Sequence, residues 1–418
     1  MTACPPNTMT PAAQPEPVTG HDFWTLAILC LLMAFSSLST DIYLPAMPAM
    51  SAALHAAPGR AEWTLSGYLA GFCLGQLGWG PLSDRIGRRA PIAMGLLLYI
   101  AGSIGCATAA SIDTMIAWRA LQAAGACAGV TLARAIVRDL YGGSRAAKMM
   151  STLMIVAAIA PLLGPGIGGL ILQLAPWRAI FWMLAIIGVL TLALLAVLPE
   201  TLPPARRTAA PMSHAFGTYG MLLRQPRLLG YAGVGGFLYG GVFAYVAGTP
   251  FAYITYHHVH PQYYGFLFAL GSLGIMGFNL FNVRFVTRFG SDRLMRAGAL
   301  GAAITGIVAA ITAWTGWGGL TGLVVPLFLF IGTTGLVLAN AIAGALNLFP
   351  EVAGSVSALI GASQFGAGIL GSAAVGFFAG GTPRPLGVAM ALFGVGCAMC
   401  ALILVRPRTP RMPLSASR

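Results

Sequence analysis

Twelve long apolar blocks follow one another from residue 24 to residue 405, and short polar segments separate them. Each block is close to the roughly 20 residues that a helix needs to cross the hydrocarbon core of a bilayer. Helices are favoured there because lipid leaves the backbone to satisfy its own hydrogen bonds. The sequence therefore predicts an all-α integral membrane protein with 12 transmembrane helices. The blocks are 24–46, 62–82, 92–111, 114–136, 150–174, 178–198, 229–254, 263–285, 295–314, 319–345, 354–380 and 386–405.

The small number of charged residues argues against a soluble fold. Charged residues make up 8% of the 418 residues, whereas an ordinary soluble domain carries roughly 25%. The net charge of +13 first suggests a nucleic-acid partner. However, the basic residues lie between apolar blocks and form no run with interleaved aromatic residues. We therefore expect the lipid bilayer as a partner, and no nucleic acid.

The basic residues are distributed unequally between the two sides that twelve spans would create. One side receives nineteen of the 23 Lys and Arg residues, the other receives Arg60, Arg178 and Arg384, and Arg119 falls inside a span. Positive residues concentrate in cytoplasmic loops of membrane proteins. The pattern therefore predicts that both termini are cytoplasmic.

A polar stretch with several Pro and Arg residues, 199–228, divides the twelve blocks into two sets of six. The predicted organisation is a cytoplasmic N-terminal tail (1–22), an N-terminal six-helix bundle (23–198), a cytoplasmic linker (199–228), a C-terminal six-helix bundle (229–405) and a cytoplasmic tail (406–418). Arg85-Ile-Gly87 follows the second block and Arg288-Phe-Gly290 follows the eighth, which is a faint internal repeat. Two similar halves around a central cavity are typical of transporters.

Asp41 is an acidic residue inside the first apolar block, whereas the other nine acidic residues fall in tails, loops or block ends. An ionised carboxylate at membrane depth costs at least about 2.5–3.5 kcal/mol, so Asp41 should be paired, protonated or facing water. Arg119, in the fourth block, is its natural counterpart. Two interpretations stay open: a titratable switch in which Arg119 modulates the proton affinity of Asp41, and a static ion pair that pins two helices.

Several other polar side chains inside the blocks are predicted to line a substrate cavity. The alternative for each is a contact between helices. The predicted cavity residues are Ser37, Tyr68, Gln122, Tyr239, Tyr245, Asn340 and Gln364.

The sequence contains no arrangement that predicts catalysis, a metal or a cofactor. Gly164, Gly166 and Gly169 fit G-x-G-x-x-G, but no strand precedes them, so dinucleotide binding is not expected. His257, His258 and His260 cluster in one short loop. Metal binding there is one interpretation, and polar residues at the membrane interface are the favoured one. No catalytic or metal-binding residue and no cofactor is therefore predicted, and the protein is not expected to be an enzyme.

The loop between the second and third blocks reads Gly80-Pro-Leu-Ser-Asp84-Arg85-Ile-Gly87-Arg88-Arg89. It resembles the G-x-x-x-D-R-x-G-R-[KR] loop of the major facilitator superfamily. Arg119-Ala-Leu-Gln122-Ala-Ala-Gly125 is similar to the R-x-x-Q-x-x-G motif of that family's fourth span. Gly164-Pro165-Gly166-Ile-Gly168-Gly169 resembles the G-P-x-x-G-G motif of its proton-driven exporters. The resemblance implies two pseudo-symmetric six-helix bundles in which these motifs support conformational change.

Three further segments resemble the Bcr/CflA drug-resistance group of the same family, and the likeness runs from about residue 23 to 405. The segments are Ser39-Thr40-Asp41-Ile-Tyr43-Leu-Pro45-Ala-Met-Pro48, Arg134-Ala-Ile-Val-Arg138-Asp139-Leu-Tyr141 and Pro350-Glu-Val-Ala-Gly-Ser-Val-Ser-Ala. The resemblance implies that Asp41 is the proton site and that Arg119 serves proton coupling. It also implies a monomer in the bacterial inner membrane.

Together these features predict a proton-coupled antiporter that exports small, mostly apolar drug-like molecules from the cytoplasm by alternating access. The proton is the expected coupling ion. One alternative is a proton-coupled importer of a small metabolite on the same fold, against which the exporter-type Gly-Pro motif argues. A channel or a membrane-embedded enzyme is the other.

Overall fold

A computed structural model describes residues 20–207, 217 and 219–405 of the chain. In this part the regular structure is helical and contains no strand. The predicted tail 406–418 and most of the tail 1–22 lie outside the described residues, as does much of the linker 199–228. The domain boundaries therefore remain predictions.

Each apolar block corresponds to one long helix, so the all-α prediction is confirmed. Eleven spans in the described residues are long and apolar enough to cross a bilayer. The remaining long helix, α2, is more polar because it carries Gln76, Ser83 and Asp84. The long helices are α1 Gly20–Asp41, α2 Trp63–Ile86, α3 Arg89–Thr108, α4 Ile112–Leu140, α5 Gly143–Leu174, α6 Arg178–Leu194, α7 Pro226–Thr249, α8 Pro261–Phe289, α9 Ser291–Thr315, α10 Gly319–Leu346, α11 Ala353–Phe377 and α12 Arg384–Met399.

The two sets of six helices pack in the same pattern, which confirms the pseudo-symmetric bundles. In the first bundle α1 packs on α5, α2 and α3 pack on α4, and α3 packs on α6. The second bundle repeats these pairs as α7 on α11, α8 and α9 on α10, and α9 on α12. The bundles meet through α2 with α11 and α5 with α8, which are equivalent pairs under the same symmetry.

The first span is not one continuous helix. Helix α1 ends at Asp41, a short 3₁₀ turn covers Leu44–Ala46, and a second helix covers Met47–Ala53. Two prolines accompany the change, because Pro45 lies in the 3₁₀ turn and Pro48 in the first turn of the following helix. We call residues 42–53 the α1 extension. The sequence predicts Asp41 within an unbroken apolar block, whereas the structure places it where the helix ends.

The bundles meet closely at one end of the molecule. We call the end with the Arg85–Arg89 loop the basic end, and the opposite end the far end. Towards the far end, the hydroxyls of Ser66 on α2 and Ser372 on α11 lie 2.8 Å apart. A Cβ on Gly59 would lie 1.9 Å from the carbonyl oxygen of Gly376. The backbones therefore touch, and the bundles are closed against each other at the far end.

Candidate functional site: a cavity between the bundles

A cavity of about 210 Å³ lies between the two bundles, and both contribute to its wall. Side chains from the last turns of α1 supply most of its polar part. Aromatic side chains from the second bundle face this polar part, and they make the rest of the wall mostly apolar. The polar residues are Ser36, Ser37, Thr40 and Asp41 of α1 and Ser272 of α8, and the aromatic ones are Tyr239, Phe243, Tyr245, Phe268 and Phe365.

The aromatic wall is a connected cluster. The ring centroids of Tyr239 and Phe243 are 5.7 Å apart. Phe365 lies 6.1 Å from each of these rings and 4.4 Å from Phe72 of the first bundle. Aromatic faces bind flat apolar molecules with little loss of side-chain freedom. This wall therefore suits an apolar or aromatic guest.

Asp41 is the acidic residue of the cavity wall, and its side chain is nearly buried at 6% exposure. Because α1 ends at Asp41, the carboxylate lies beside the negative end of the helix dipole, which disfavours its charge. The neighbouring Thr40 hydroxyl donates to the carbonyl oxygens of Ser36 and Ser37, each at 3.0 Å. These bonds hold the Thr40 side chain against the helix.

The glycines of α5 pack directly against the point where α1 ends. A Cβ on Gly164 would lie 3.2 Å from the Cβ of Asp41, and one on Gly168 would lie 1.8 Å from the carbonyl oxygen of Ile42. On the same helix, Gly169 approaches the backbone of Pro261, and Pro165 lies beside Gly265 of α8. The Gly-Pro motif thus contacts both the α1 extension and the other bundle.

Arg119 is completely buried inside the first bundle. Its Nη1 donates to Oε1 of Gln122 at 2.6 Å, and Gln122 Nε2 donates to Ser103 Oγ at 2.8 Å. The guanidinium carbon lies 4.2 Å from the ring centroid of Tyr43 and 4.3 Å from that of Tyr68. Cation–π contacts of this kind contribute about 2 kcal/mol when the charge is desolvated.

No ion pair joins Asp41 to Arg119, although both side chains belong to the described part of the chain. The connection between them runs through the α1 extension. Tyr43 follows Asp41 by two residues, and its ring covers the guanidinium. The structure therefore does not support the static-ion-pair interpretation in this arrangement.

Three of the seven predicted cavity residues line the cavity, and the other four lie elsewhere. Ser37, Tyr239 and Tyr245 line the cavity. Tyr68 and Gln122 lie behind its wall against Arg119. Asn340 donates to Asn282 Oδ1 at 2.7 Å and so joins α10 to α8. Gln364 is buried beside Gly235, and its Nε2 has no hydrogen-bond partner.

Ser36, Thr40 and the phenylalanines of the wall are not among the cavity residues predicted from the sequence. The spacing of Phe243 four residues after Tyr239, with Phe365 next to Gln364, gives a weak signal. An aromatic residue in an apolar block is equally compatible with a lipid-facing surface. The neighbouring helices decide between these two positions, and the sequence of one helix does not show them.

The basic end carries an ordered charged network within the first bundle. Arg88 Nη1 contacts Asp84 Oδ1 at 2.6 Å and Arg88 Nε contacts Asp139 Oδ2 at 2.7 Å, which links α2, α3 and α4. Arg85 and Arg89 are exposed. Gly87 has φ +99 and lies so close to Glu200 that a Cβ would be 2.6 Å from its Oε2, whereas Gly80 has open space around it.

Glu200 caps the first turn of α3 from the end of the first bundle. Its carboxylate accepts hydrogen bonds from the backbone N–H groups of Arg88 at 2.8 Å, Leu202 at 3.0 Å and Arg89 at 3.2 Å. Partial burial by itself would raise the pKa of Glu200, but these hydrogen bonds outweigh it and hold that pKa below its ordinary value. A carboxylate at a helix N-terminus is favourable, so Glu200 fixes the basic loop to the bundle.

The last glycine of the R-x-x-Q-x-x-G motif lies at a close contact between two helices. Gly125 of α4 packs on α3, because a Cβ there would lie 2.4 Å from the carbonyl oxygen of Gly95.

Among the described residues, no group of three or more His, Cys, Asp or Glu side chains could hold a metal ion. The histidines of the loop at 257–260 therefore do not form such a group.

The geometry is that of a transporter: two similar bundles, a cavity between them and closure at one end. A sequence model described as Major Facilitator Superfamily matches residues 29–372. The chain belongs to the Major Facilitator Superfamily. Its members are transporters and not enzymes, so this chain is a major facilitator transporter.

Relatives within the Major Facilitator Superfamily include drug-resistance proteins. An MFS-type transporter of Bacillus subtilis, YdgK, is 37% identical over 82% of this chain and 86% of its own length. The bicyclomycin resistance protein homolog of Haemophilus influenzae is 29% identical over 91% and 94%. Multidrug resistance protein D of Escherichia coli is 30% identical over 91% and 95%. The resemblance to the Bcr/CflA group is confirmed.

Solved major facilitator structures show the same fold. A D-xylose-proton symporter superposes with a TM-score of 0.74 at 15% identity, covering 93% of this chain and 98% of its own. The partially occluded, inward-open xylose transporter XylE of Escherichia coli gives a TM-score of 0.69 at 16% identity, with 92% and 97% covered. At these identities the likeness concerns the fold alone.

Proposed function

We propose that this protein exports small, mostly apolar, drug-like molecules from the cytoplasm in exchange for protons. Asp41 is the proton-binding carboxyl group, and Arg119 supplies a fixed positive charge in the same bundle. The two bundles alternate in exposing the central cavity to either side of the membrane. The proton is the coupling ion, and no further cofactor is needed for this exchange.

The observation that carries the proposal is the position of Asp41. Its carboxyl group lines a cavity shared by the two bundles and lies where α1 ends, against the glycines of α5. A cavity that opens to one side brings water to this carboxyl group and stabilises its charge. A cavity that closes removes the water and favours the protonated form. The same group can therefore take a proton on one side and release it on the other.

The exchange follows from competition at one site. With the cavity open to the cytoplasm, Asp41 loses its proton and the substrate binds against the aromatic wall. With the cavity open to the outside, a proton binds Asp41 and the substrate leaves. The membrane potential contributes about 2.3 kcal/mol per charge per 100 mV when the exchange moves net charge.

Direct contacts connect α5 and Arg119 to the proton-binding group Asp41. The glycines at 164 and 168 touch Asp41 and Ile42, and Tyr43 covers the guanidinium of Arg119. A movement of α5 relative to α1 therefore displaces the α1 extension. That displacement changes the distance between Asp41 and Arg119, and with it the cost of the ionised carboxylate.

The substrate class rests on the cavity wall and on the relatives. Aromatic and apolar side chains dominate the wall, and the few polar groups are hydroxyls and Asp41. The names of two relatives refer to bicyclomycin resistance and multidrug resistance. Both lines support small apolar antibiotics or dyes. The predicted roles of Ser37, Tyr239 and Tyr245 in substrate contact belong to this proposal.

The orientation is part of the proposal as well. The positive-inside rule places the basic end in the cytoplasm, so the far end faces the outside. The protein then lies in the bacterial inner membrane as a monomer with both termini cytoplasmic.

A drug-susceptibility panel in an efflux-deficient host tests the function. The chain should raise resistance to some apolar compounds, and Asp41→Asn should abolish that gain while its membrane level stays unchanged. Asp113→Asn is the matched control, because Asp113 is an exposed acid at the far end. An importer would instead make the host more sensitive. Full resistance with Asp41→Asn would contradict the assigned role.

A further inference from the structure

A second cavity, of about 250 Å³, lies at the far end between the two bundles. The first bundle contributes the segment that connects the α1 extension to α2, including Gly59 and Glu62. The second bundle contributes the π-helical segment Pro250–Tyr256 that continues α7, including Phe251 and Tyr256, together with the connection from α11 to α12 and the first turn of α12, including Pro385. This cavity is separate from the central one, and it lies at the place where the bundles close.

Glu62 is the acidic residue in the wall of this far-end cavity. It immediately precedes α2, and its side chain is only 3% exposed. Its Oε2 atom is buried and has no hydrogen-bond partner. A buried carboxylate oxygen without a donor is costly, by about 1–3 kcal/mol for a neutral group and more for a charged one. The protonated form of Glu62 is therefore favoured while the bundles are closed.

The charged and titratable groups on the surrounding elements do not neutralise Glu62. Arg60 pairs with Asp113, and Arg384 lies over the ring of Trp314 at 4.9 Å. His55 and His258 are exposed. His257 packs edge-on against Tyr256, and burial, with a smaller effect of His258, lowers its pKa and disfavours its charged form. No ion pair joins any of these groups to Glu62 in the described part of the chain.

Opening of the far end would remove the cause of this burial. The wall opposite Glu62 belongs to the other bundle, and Gly59, three residues earlier, touches Gly376 directly. When the bundles separate there, water enters the far-end cavity and solvates the carboxyl group. The ionised form is then stabilised, as for an ordinary surface glutamate.

We propose that Glu62 is a second proton-binding site, distinct from Asp41, whose protonation holds the far end of the transporter closed. Closing takes one proton from the water on the far-end side and forms the neutral carboxylic acid. Opening returns that proton to the same water and leaves the carboxylate. This proton does not cross the membrane, so the site regulates opening and does not add to the transport stoichiometry.

The pH range follows from the two environments. Burial raises the pKa of Glu62 in the closed form from 4.5 to about 7. A solvated glutamate has a pKa of about 4.3. The closed form thus binds the proton more tightly, and acid favours closure. As the pH rises between these two values, the ratio of closed to open molecules falls by up to about tenfold per pH unit. Above the higher value the ratio no longer changes.

The test measures the far-end distance between spin labels as the pH changes. Ala110 and Trp317 are exposed at the far end, one on each bundle, and cysteines at these positions take the labels after the native cysteines are replaced. The background is Asp41→Asn, so the response does not depend on the proposed coupling site or on transport activity. The closed population should decrease as the pH rises from about 5 to about 7.5.

Glu62→Gln, which resembles the protonated acid, should stay closed over this whole range. His55→Asn, which removes an exposed titratable side chain at the same end and leaves the Arg60–Asp113 pair intact, should respond as the background does. Infrared spectra of the background provide a second measurement, because the carbonyl band of a protonated carboxyl should disappear over the same pH range and be absent in Glu62→Gln. A far-end distance in the background that does not change with pH would overturn the proposal, as would an unchanged response in Glu62→Gln.

Discussion

Arg119 shows how a charge is accommodated in this protein without a carboxylate partner. The side chain has no exposed surface, and its charge is stabilised by Gln122 and by the faces of Tyr43 and Tyr68. The sequence predicts that Arg119 lies inside a span, three residues before Gln122, and the structure buries both side chains and joins them by a hydrogen bond. It did not predict the aromatic cage, because Tyr43 comes from the α1 extension and Tyr68 from α2.

Glu62, in contrast, is a residue whose burial the sequence does not predict. By sequence it belongs to the acids at block ends, which are usually solvated, and it drew no functional prediction. Its burial arises from the second bundle, whose residues 248–256 and 375–386 close over it. A contact between segments so far apart in the chain is not visible in the local pattern.

Replacement of Arg119 separates coupling from folding. Arg119→Ala should abolish drug resistance, because the charge that stabilises ionised Asp41 is gone. It should still yield membrane-inserted protein with a moderately lower unfolding temperature, since an unpaired Gln122 acceptor costs about 1–3 kcal/mol. Resistance assays and thermal unfolding of the purified protein measure the two effects.

Arg119→Lys is the matched control, because it keeps the charge and loses the planar group that stacks on the rings. It should keep part of the activity. Complete absence of folded protein in both variants would assign Arg119 a purely structural role.

At the scale of the elements, the first span and α5 form one functional unit. The resemblance implies that the Gly-Pro motif of α5 supports conformational change, and the structure places its glycines against the end of α1 and the α1 extension. The end of α1 at Asp41 is harder to predict from the sequence. The apolar character continues through residues 42–46, and only Pro45 and Pro48 signal a change of backbone.

A pair of glycine substitutions tests this unit. Gly168→Ala should abolish transport, because its Cβ would lie 1.8 Å from the carbonyl oxygen of Ile42 and would push α5 away from the α1 extension. Gly166→Ala should retain transport, because no atom lies within 4 Å of its Cβ. Both changes add one methyl group to the same helix.

Efflux of a fluorescent substrate, normalised to the amount of protein in the membrane, measures this pair of variants. Equal activity of the two would show that close packing of α5 on the α1 extension is not required for transport.

At the scale of the whole molecule, the internal repeat in the sequence anticipated the two bundles and the cavity between them. The repeated packing of helices confirms that plan. Which end is closed could not be predicted, because the same sequence must support both states of a transporter. The difference in free energy between two such arrangements is only a few kcal/mol, and it depends on many contacts between the bundles.

A reversible cross-link tests whether the far end has to open. The hydroxyls of Ser66 and Ser372 lie 2.8 Å apart on different bundles, so cysteines at both positions should form a disulfide in the closed state. Oxidation should stop efflux, and a reductant should restore it. The single variants Ser66→Cys and Ser372→Cys are the controls and should stay active under oxidation. Continued efflux by the fully cross-linked protein would contradict alternating access at this end.

The central claim is that substrate and protons move in opposite directions through one site. Purified protein in liposomes is loaded with a drug identified by the susceptibility panel, at equal pH inside and outside, and then diluted into drug-free buffer. A pH-sensitive dye in the lumen should report acidification as the drug leaves, and Asp41→Asn should give no signal. Drug exit with an alkaline shift, or with no shift in the unaltered protein, would contradict the account.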